Sequence, residues 1–585
     1  MTGPIRIANC SGFFGDRLSA AREMVEGGPI DVLTGDWLAE LTMLILARTR
    51  LKRPGGGFAH TFVTQMEQVL GTCLERGIKV VSNAGGLDPD ACAAAVAAVA
   101  TKLGLQPRIA FVRGDDLMPR LGEFVASQQL RDFVDGKPID QVSSFITANA
   151  YLGCWGIVDA LNHGADIVIT GRCTDAAIVC GPAAWHHGWS RTDFNGLAGA
   201  VAAGHVIECG TQATGGNYSF FQEVPGMSRV GFPWAEIASD GSSVIGKHAD
   251  TGGEVSIGTV TSQLLYEIGG REYFGPDVTV RFDTIQLTQI AADRVRMHGI
   301  QGEAPPATLK VCINRPGGFR NDMNVCLTGL DIEAKAKLVE DSFWKACPYR
   351  PEDFADIRTR LIRTDKPDPS TNEEAVAILR ISAKDPDEKK VGRAFSNAVI
   401  EMALASIPGF FGVGSGPGAG RPFGVYQPAT IPAEVVPQEV VLLGEAPRVV
   451  SSVIPGAPVS IALPLLVVAR APSGLIKRAP LGRVLGARSG DKGGNANLGV
   501  FARSDAAWIW LDGFLTSERL RELLPEVAPL QIDRHRLPNI RSLNFVLHGL
   551  LEEGVAASTR QDPQAKSLGE WLRARVVDLP ESLLS

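Results

Sequence analysis

Five short apolar segments near the start of the chain each run into glycine and polar residues, and helical patterns separate them. The segments are residues 6–10, 30–34, 77–82, 108–113 and 167–169. Strands that alternate with helices usually pair in parallel, because each helix crosses over a face of the sheet. The pattern therefore predicts an α/β fold with a largely parallel sheet and flanking helices. In such a sheet the loops after the strands share one edge, and ligands bind at that edge.

The loop after residues 167–169 is rich in polar side chains and follows Gly171. Arg172 is the residue in it that we expect to pair with a charged group of a ligand. Asp175 is a candidate acid or base. An ordinary loop in which Thr174 or Asp175 caps the next helix would have the same composition, so both interpretations stay open.

The loop after residues 6–10 carries Gly12, Gly15 and Arg17. Glycine lets the backbone come close to a ligand, and the free N–H groups at a helix start attract anions. We expect an anionic ligand to contact these residues; a structural turn with Asp16 as a helix cap is the alternative.

Asp36 follows the second apolar segment, and Glu40 stands four residues later. On a helix, residues at that spacing share one face. Paired carboxyl groups divide acid and base roles when burial separates their pKa values, so Asp36 is a candidate catalytic residue. The two acids could equally complement a helix dipole.

Asn83, Gly85 and Gly86 follow the third apolar segment. Asp88 and Pro89 account for the start of the next helix, which leaves the three preceding residues for contact with a ligand. Asn83 is a candidate catalytic residue there.

Residues 204–208 are interpreted as a strand that carries Glu208 into a loop of hydroxyl, amide and glycine groups. Such a loop suits a carboxylate, a phosphate or a thioester oxygen. Glu208 is a candidate acid or base, or else a salt-bridged core residue, and Gly215, Gly216 and Asn217 are candidate ligand contacts.

A polar loop near the C-terminus contains Asp491, Lys492, Asn495 and Asn497. A lysine charge together with backbone N–H groups can bind a phosphate or a carboxylate. A solvated turn is the alternative.

The chain has 585 residues, which suggests several domains. We expect an α/β domain over residues 1–290, an α+β region over 291–455 and a small α+β domain over 478–585. The glycine-rich run 409–420 is either a lid or a close backbone path, and small residues and prolines place the last domain boundary near 455–478.

Composition excludes several classes of protein. The net charge of −7 and the lack of a Lys/Arg-rich tract argue against nucleic-acid binding. No apolar run is long enough for a membrane span, and the N-terminal residues do not resemble a secretory signal. The ten cysteines form no CxxC pair, so we predict reduced thiols, no metal site and a cytoplasmic protein.

Several of these motifs together resemble one protein family. They are FGD at 14–16, LTGDWLAE at 33–40, SNAGG at 82–86, ITGRCTDAA at 169–177, ECGTQATGGNY at 208–218 and GARSGDKGGNANLGVFAR at 486–503. The chain resembles the acyclic terpene utilisation A family in its two-part form with a C-terminal ferredoxin-like domain. The resemblance implies a role in the bacterial breakdown of branched acids, such as citronellol and geraniol derivatives, as coenzyme A thioesters. It implies no reaction and no catalytic residue.

The leading hypothesis is an enzyme of branched acyl-CoA catabolism, a lyase or hydratase that acts next to the thioester. Asp36, Glu208 or Asp175 would move the proton, and Asn83 with glycine N–H groups would hold an enolate-like oxygen. Arg172 or Lys492 would bind a carboxylate or phosphate.

The alternative is a non-catalytic subunit that binds acyl-CoA and presents it to a partner enzyme. We expect no cofactor apart from the coenzyme A of the substrate, no nucleic-acid or membrane partner, and a homo-oligomer.

Overall fold

The computed structural model describes residues 3–53, 55–412, 418–456 and 474–584. The chain divides into two compact units. The main unit comprises residues 1–314, 426–555 and 562–585, and the second unit comprises 315–425 and 556–561. Parts of the glycine-rich run 409–420 and of the predicted boundary 455–478 lie outside the described residues. The predicted domain limits at 290, 455 and 478 stay a prediction.

An eleven-stranded sheet forms the centre of the main unit. From edge to edge its strands are Gln286–Ala291, Arg294–His298, Ser243–Lys247, Pro233–Ile237, Ile5–Asn9, Val32–Gly35, Lys79–Gly86, Ile167–Gly171, Ile109–Arg113, Gln438–Leu442 and Arg448–Val450. The five strands that the sequence predicts lie side by side in the middle and pair in parallel.

The strands on both flanks of these five are antiparallel. The prediction of a largely parallel sheet is therefore not confirmed. The physical reason is loop length: only residues 238–242 separate Pro233–Ile237 from Ser243–Lys247, and a parallel crossover needs a dozen residues or more.

Helices cover both faces of the parallel strands, which explains their near-continuous apolar sequences. One face packs on the helices Ala20–Glu26, Glu40–Lys52, His60–Arg76 and Pro89–Lys102. The other packs on Trp155–Asn162, Ala177–His187, Phe194–Ile207 and Ile257–Leu264. Residues alternate between the two cores, so Ile167 and Ile169 face the first and Val168 faces the second.

Smaller elements complete this part of the main unit. They are the helix Leu121–Ala126, the strands Arg131–Asp132 and Thr147–Ala150, and a three-stranded sheet of Glu272–Phe274, Thr279–Arg281 and Gln301–Glu303. The strand Thr147–Ala150 pairs with the start of the long strand Thr308–Thr328, which brings Tyr151 near Lys310.

The C-terminal residues of the main unit form an α+β arrangement, as predicted. The four strands are, in sheet order, Leu485–Lys492, Asn495–Ala502, Ser542–Leu547 and Ile532–Leu537. The helices Asp505–Phe514, Ser517–Leu523 and Leu568–Arg573 share a hydrophobic core with them. The strands Ile476–Pro480 and Val576–Pro580 pair beside this sheet.

The second unit is a smaller α+β structure. Its strands are the later part of Thr308–Thr328, with Val376–Asp385, Asp356–Ile362, Phe410–Gly412 and the start of Arg421–Pro432. The helices Ile332–Ala346, Glu388–Val391 and Arg393–Glu401 pack on them around Phe343 and Phe395. Among the described residues of the whole chain, no helix has both the length and the apolar character that crossing a bilayer would require.

Candidate functional site

Two neighbouring groups of polar residues in the main unit contain the charged site residues that the sequence predicts, apart from Arg17. The first, called the sheet cluster, follows the parallel strands and consists of Asp36, Glu40, Tyr151, Arg172, Asp175, His205, Glu208, Lys310 and Tyr426. The second, called the hairpin cluster, surrounds the C-terminal hairpin and consists of Tyr266, Glu267, Arg488, Asp491, Lys492 and Lys566.

The Asp36 loop is held by backbone and side-chain hydrogen bonds. The N–H of Asp36 donates to the carbonyl oxygen of Ser11 at 3.0 Å. Asn83 donates its side-chain N–H to Asp36 Oδ1, and its own Oδ1 accepts a hydrogen bond from the Trp37 N–H at 2.8 Å. The structure thus brings the predicted residues Asn83 and Asp36 together, with Asn83 orienting the carboxyl group.

The surroundings of Asp36 favour its protonated form. Burial raises its pKa well above the usual value, and the charges of Asp175 and Glu208 act in the same direction. Arg172 and the hydrogen bond from Asn83 oppose the shift without cancelling it. Asp36 is therefore a candidate proton donor.

Arg172 lies at the end of the strand Ile167–Gly171 and is almost fully buried. Its guanidinium group donates to Asp175 Oδ1 at 2.5 Å and lies 4.2 Å from the ring centre of Tyr151. Its Nε is buried and makes no hydrogen bond. The backbone N–H of Arg172 donates to Asp115 Oδ2 at 3.0 Å, so a second buried acid holds the loop in place.

Glu40 is ionised and surrounded by donors. The Tyr151 hydroxyl donates to Glu40 Oε1 at 2.7 Å, and Lys310 Nζ lies 3.4 Å from the same oxygen. Burial alone would raise the pKa of Glu40, but the charges of Lys310 and Arg172 and the Tyr151 hydroxyl lower it to about 2. Because the helix Glu40–Lys52 begins only at Glu40, Asp36 precedes it and the two acids do not share a helix face.

Glu208 lies at the end of a helix, and the predicted strand over residues 204–208 is wrong. The helix Phe194–Ile207 includes this segment and is buried over most of its length. A helix that is apolar on all sides lacks the amphipathic pattern that separates helix from strand. Asn9 donates to the carbonyl oxygens of Ile207 and Glu208 at 2.7 and 3.0 Å and so fixes the helix end.

Glu208 forms a buried pair with His205. Its Oε1 lies 3.4 Å from His205 Nδ1, and its Oε2 is buried without a hydrogen bond. Burial raises the pKa of Glu208 well above its usual value and lowers the pKa of His205 to about 4. Glu208 is therefore a second acid whose surroundings favour the protonated form, and the neutral form of His205 is favoured beside it.

The C-terminal hairpin joins the strands Leu485–Lys492 and Asn495–Ala502. Asn497 is buried, donates to the carbonyl oxygen of Leu265 at 2.9 Å and accepts from the Glu267 N–H at 2.8 Å. Asn495 accepts a hydrogen bond from the Gly549 N–H. These two predicted ligand contacts thus have partners within the protein, and Asn497 fixes the hairpin to residues 265–267.

The hairpin carries its charged side chains to the Tyr266–Glu267 segment. Arg488 donates to Gln212 Oε1 and lies 4.2 Å from the ring centre of Tyr266. Lys492 Nζ donates to the carbonyl oxygen of Glu267 at 2.9 Å. Burial, aided by the charge of Lys310, lowers the pKa of Lys492 to about 8.

Asp491 lies on the other side of the hairpin strand beside Lys566. The Lys566 ammonium lies 3.4 Å from Asp491 and 3.3 Å from Glu267. Burial, with the charge of Glu267, raises the pKa of Asp491 to about 7 in spite of Lys566.

Both clusters keep some contact with solvent. The side chains of Glu40, Asp175, Lys310, Glu267 and Lys566 are 31–39 % exposed. Lys492 is close enough to Lys310, Glu40 and Asp175 for their charges to affect its pKa. The two clusters therefore lie near each other, and each is partly open to solvent.

The remaining predicted contacts pack against neighbouring protein segments, and two of them, Gly85 and Gly86, lie at the end of the strand Lys79–Gly86. Gly12 is needed because a Cβ there would lie 2.4 Å from the Gly210 nitrogen, and Gly215 has φ +113°. Arg17 pairs with Glu23 at 2.6 Å, and Asn217 is exposed. Gly15, Gly85, Gly86 and Gly216 also lie close to neighbouring protein atoms, and for all these residues ligand contact stays a prediction.

Sequence reasoning missed several members of the two clusters: Tyr151, His205, Tyr266, Glu267, Lys310, Tyr426, Arg488 and Lys566. Arg488 could have been found, because it lies in the same motif as Lys492. Tyr151 and Lys310 lie outside every motif, and only strand pairing brings them to the site. Among the described residues no group of three or more His, Cys, Asp or Glu side chains is arranged to hold a metal ion.

Two family models match the chain. The model described as acyclic terpene utilisation family protein AtuA matches residues 5–442, and the AtuA ferredoxin-like domain matches residues 479–578. Comparisons with curated proteins and with solved structures gave no match. The first match contains the sheet cluster, and the second contains the hairpin, so both parts of the site lie in family regions. The chain belongs to the acyclic terpene utilisation family.

Proposed function

We propose that the protein is an enzyme of branched acyl-CoA catabolism, a lyase or hydratase that acts on the carbon next to the thioester. Family membership supports the metabolic setting, since acyclic terpenes are branched. The observation that carries the proposal is the presence of Asp36 and Glu208, two buried acids with raised pKa values, beside the Arg172–Asp175 ion pair.

Both reaction types share one chemical requirement. Water addition to an α,β-unsaturated thioester forms a bond from oxygen to Cβ and places the π electrons in an enolate. Cleavage of the Cα–Cβ bond in a β-hydroxy thioester turns the hydroxyl-bearing carbon into a separate carbonyl compound and leaves the electron pair of the broken bond as the enolate of the shorter thioester. In each case a base takes a proton from oxygen, and an acid delivers one to Cα.

The sheet cluster contains a candidate for each role. Asp175 is the candidate base, because it forms an ion pair with Arg172 and its side chain retains contact with solvent. Asp36 or Glu208 is the candidate acid, because burial raises the pKa of both carboxyl groups. Carboxyl groups in such different environments are the usual sign of divided acid and base roles.

The developing negative charge on the thioester oxygen needs donors. One side-chain N–H of Asn83 donates to Asp36, so we assign Asn83 to orienting this acid. Its second side-chain N–H is the candidate donor to the thioester oxygen. Backbone N–H groups of the glycine loops are the other candidate donors. Arg172 and Lys492 supply positive charge for a carboxylate or a phosphate of the substrate.

The test is incubation of the full chain with a panel of branched acyl-CoA esters, followed by mass spectrometry. A gain of 18 Da or the appearance of two fragments identifies the reaction type. Asp36→Asn and Glu208→Gln should each lower turnover about 10²- to 10⁴-fold, the usual contribution of an acid or base. The matched controls Asp140→Asn and Glu75→Gln alter exposed acids outside the clusters and should leave turnover unchanged.

A non-catalytic subunit would give a different result. It would bind the thioesters without turning any of them over, and the four variants would then behave alike. That outcome would contradict the lyase or hydratase hypothesis and favour a protein that presents acyl-CoA to a partner enzyme.

A further inference from the structure

The hairpin cluster holds cations that have no carboxylate partner. Lys566 lies within ion-pair distance of Glu267 and Asp491. Arg488 and Lys492 make their hydrogen bonds to an amide oxygen and a carbonyl oxygen instead. Among the described residues, neither has a carboxylate at ion-pair distance.

Arg488 is the clearer case, because it is 93 % buried. Its guanidinium group stacks on Tyr266 and donates to Gln212, yet its Nε makes no hydrogen bond within the described part of the chain. A buried guanidinium normally pairs with a carboxylate or a phosphate, since an unpaired buried charge is costly. The free N–H thus indicates an anionic partner that is not part of the protein.

Lys492 lies on the same face of the hairpin strand as Arg488. Residues 488, 490 and 492 alternate with residues that face the helix Leu568–Arg573, and the Cα atoms of Arg488 and Lys492 are about 13 Å apart at the usual rise per residue. Gly490 between them leaves room for the Tyr266 ring, which a Cβ would approach to 2.6 Å. The two cations therefore flank Tyr266 and both face the segment 266–267.

We propose that Arg488 and Lys492 form an anion-binding subsite, supplied by the C-terminal hairpin, for an anionic oxygen group of the substrate. Two parts of an acyl-CoA have this chemistry: the phosphates of coenzyme A and a carboxylate on the acyl chain. The inference rests on the proposed function for its substrate class. The presence of an anion subsite is testable without any thioester.

The first experiment uses inorganic diphosphate as the probe and the thermal unfolding temperature of the full chain as the readout. Diphosphate should raise the unfolding temperature of the wild type, because a ligand stabilises the state that binds it. Arg488→Gln and Lys492→Met should lose this increase. Lys477→Met and Arg478→Gln replace exposed cations of the same C-terminal region and should retain it.

The second experiment separates the two sources of the anion by calorimetric titration. If the subsite holds a phosphate, the wild type should bind coenzyme A about ten- to a hundredfold more tightly than pantetheine. If it holds an acyl carboxylate, the same preference should appear for glutaryl-pantetheine over butyryl-pantetheine. In either case Arg488→Gln and Lys492→Met should abolish the preference, and the two control variants should keep it.

Misfolding of the variants would not imitate this result. Removing an unpaired cation should leave the unfolding temperature of the ligand-free protein unchanged or higher, whereas removing a structural contact should lower it. Arg488→Lys keeps the charge and should retain part of the diphosphate effect.

The inference is overturned if both cation variants respond to diphosphate, coenzyme A and glutaryl-pantetheine as the wild type does. The proposed function fails separately if the wild type binds diphosphate through Arg488 and Lys492 but neither binds nor converts any thioester.

Discussion

The sheet cluster and the hairpin cluster differ in whether their cations have carboxylate partners. In the sheet cluster each cation has an acidic partner: Arg172 pairs with Asp175, and Lys310 lies beside Glu40. In the hairpin cluster only Lys566 has carboxylate partners, and Arg488 and Lys492 have none among the described residues. The sheet cluster is therefore electrically balanced, and the hairpin cluster carries surplus positive charge.

The difference separates two tasks. A balanced cluster with two buried acids of raised pKa can move protons without attracting extra ions, which suits acid–base chemistry. A cluster with surplus positive charge is stabilised by an anion, which suits binding and orientation. The family's second region is therefore expected to bind the substrate, and its first region is expected to transform it.

The largest expected effect comes from removing a paired cation. Arg172→Met leaves Asp175 without its partner and should lower the free energy of unfolding by about 3–5 kcal/mol. Arg488→Met in the hairpin cluster removes an unpaired cation and should leave the free energy of unfolding unchanged or raise it. Chemical denaturation followed by circular dichroism measures both. Equal losses would show that the two clusters do not differ in charge balance.

A smaller effect is expected for Glu40→Gln, which removes an ionised acceptor from Tyr151 and Lys310. The variant should be about 2 kcal/mol less stable than the wild type at neutral pH. The pKa of Glu40 is lowered to about 2, so its contribution is complete above pH 4.5 and is lost as the pH falls toward 2. Unfolding measured from pH 2 to 7 checks this, and a difference that persists unchanged at pH 2 would contradict it.

The smallest expected effect concerns Asp491, whose pKa moves in the opposite direction. With a folded pKa raised to about 7, the carboxyl group favours the folded state at low pH, and this contribution is lost as the pH rises from about 4 through 7. Asp491→Asn should therefore be about 1 kcal/mol more stable than the wild type at pH 8 and gain nothing at pH 4. Melting temperatures across this range test it, with exposed Asp578→Asn as the control. A gain that does not depend on pH would assign the effect to packing.

Much of the central architecture follows from local sequence. The five parallel strands were predictable because strands buried on both faces are almost continuously apolar and end in glycine and polar residues. The antiparallel strands on both flanks were not expected, although connections as short as residues 238–242 are too short for a parallel crossover and indicate antiparallel pairing. The helix Phe194–Ile207 was misinterpreted near its end, because its buried surface has no polar face to reveal the helical period.

The candidate site was predictable in part. Asp36, Asn83, Arg172, Asp175, Glu208 and Lys492 were chosen for their loop positions, and the structure places them in or beside the two clusters. Tyr151 and Lys310 were missed, because no nearby motif marks them and strand pairing between distant segments brings them to the site. His205 was missed because residues 204–208 were interpreted as a strand, on which residues 205 and 208 face opposite sides, whereas the helix places His205 beside Glu208.

The sequence by itself determined the strand–loop–helix units, the family and the residue types that follow the parallel strands. Those features depend on residues that are close in sequence, so apolar runs and glycine positions are enough to predict them. The tertiary structure decided which acids have raised pKa values, which cations are paired and that the C-terminal hairpin lies near the sheet loops. These properties depend on burial and on charged residues that are distant in the chain, as with Asp36 and Glu208 or Glu267 and Lys566.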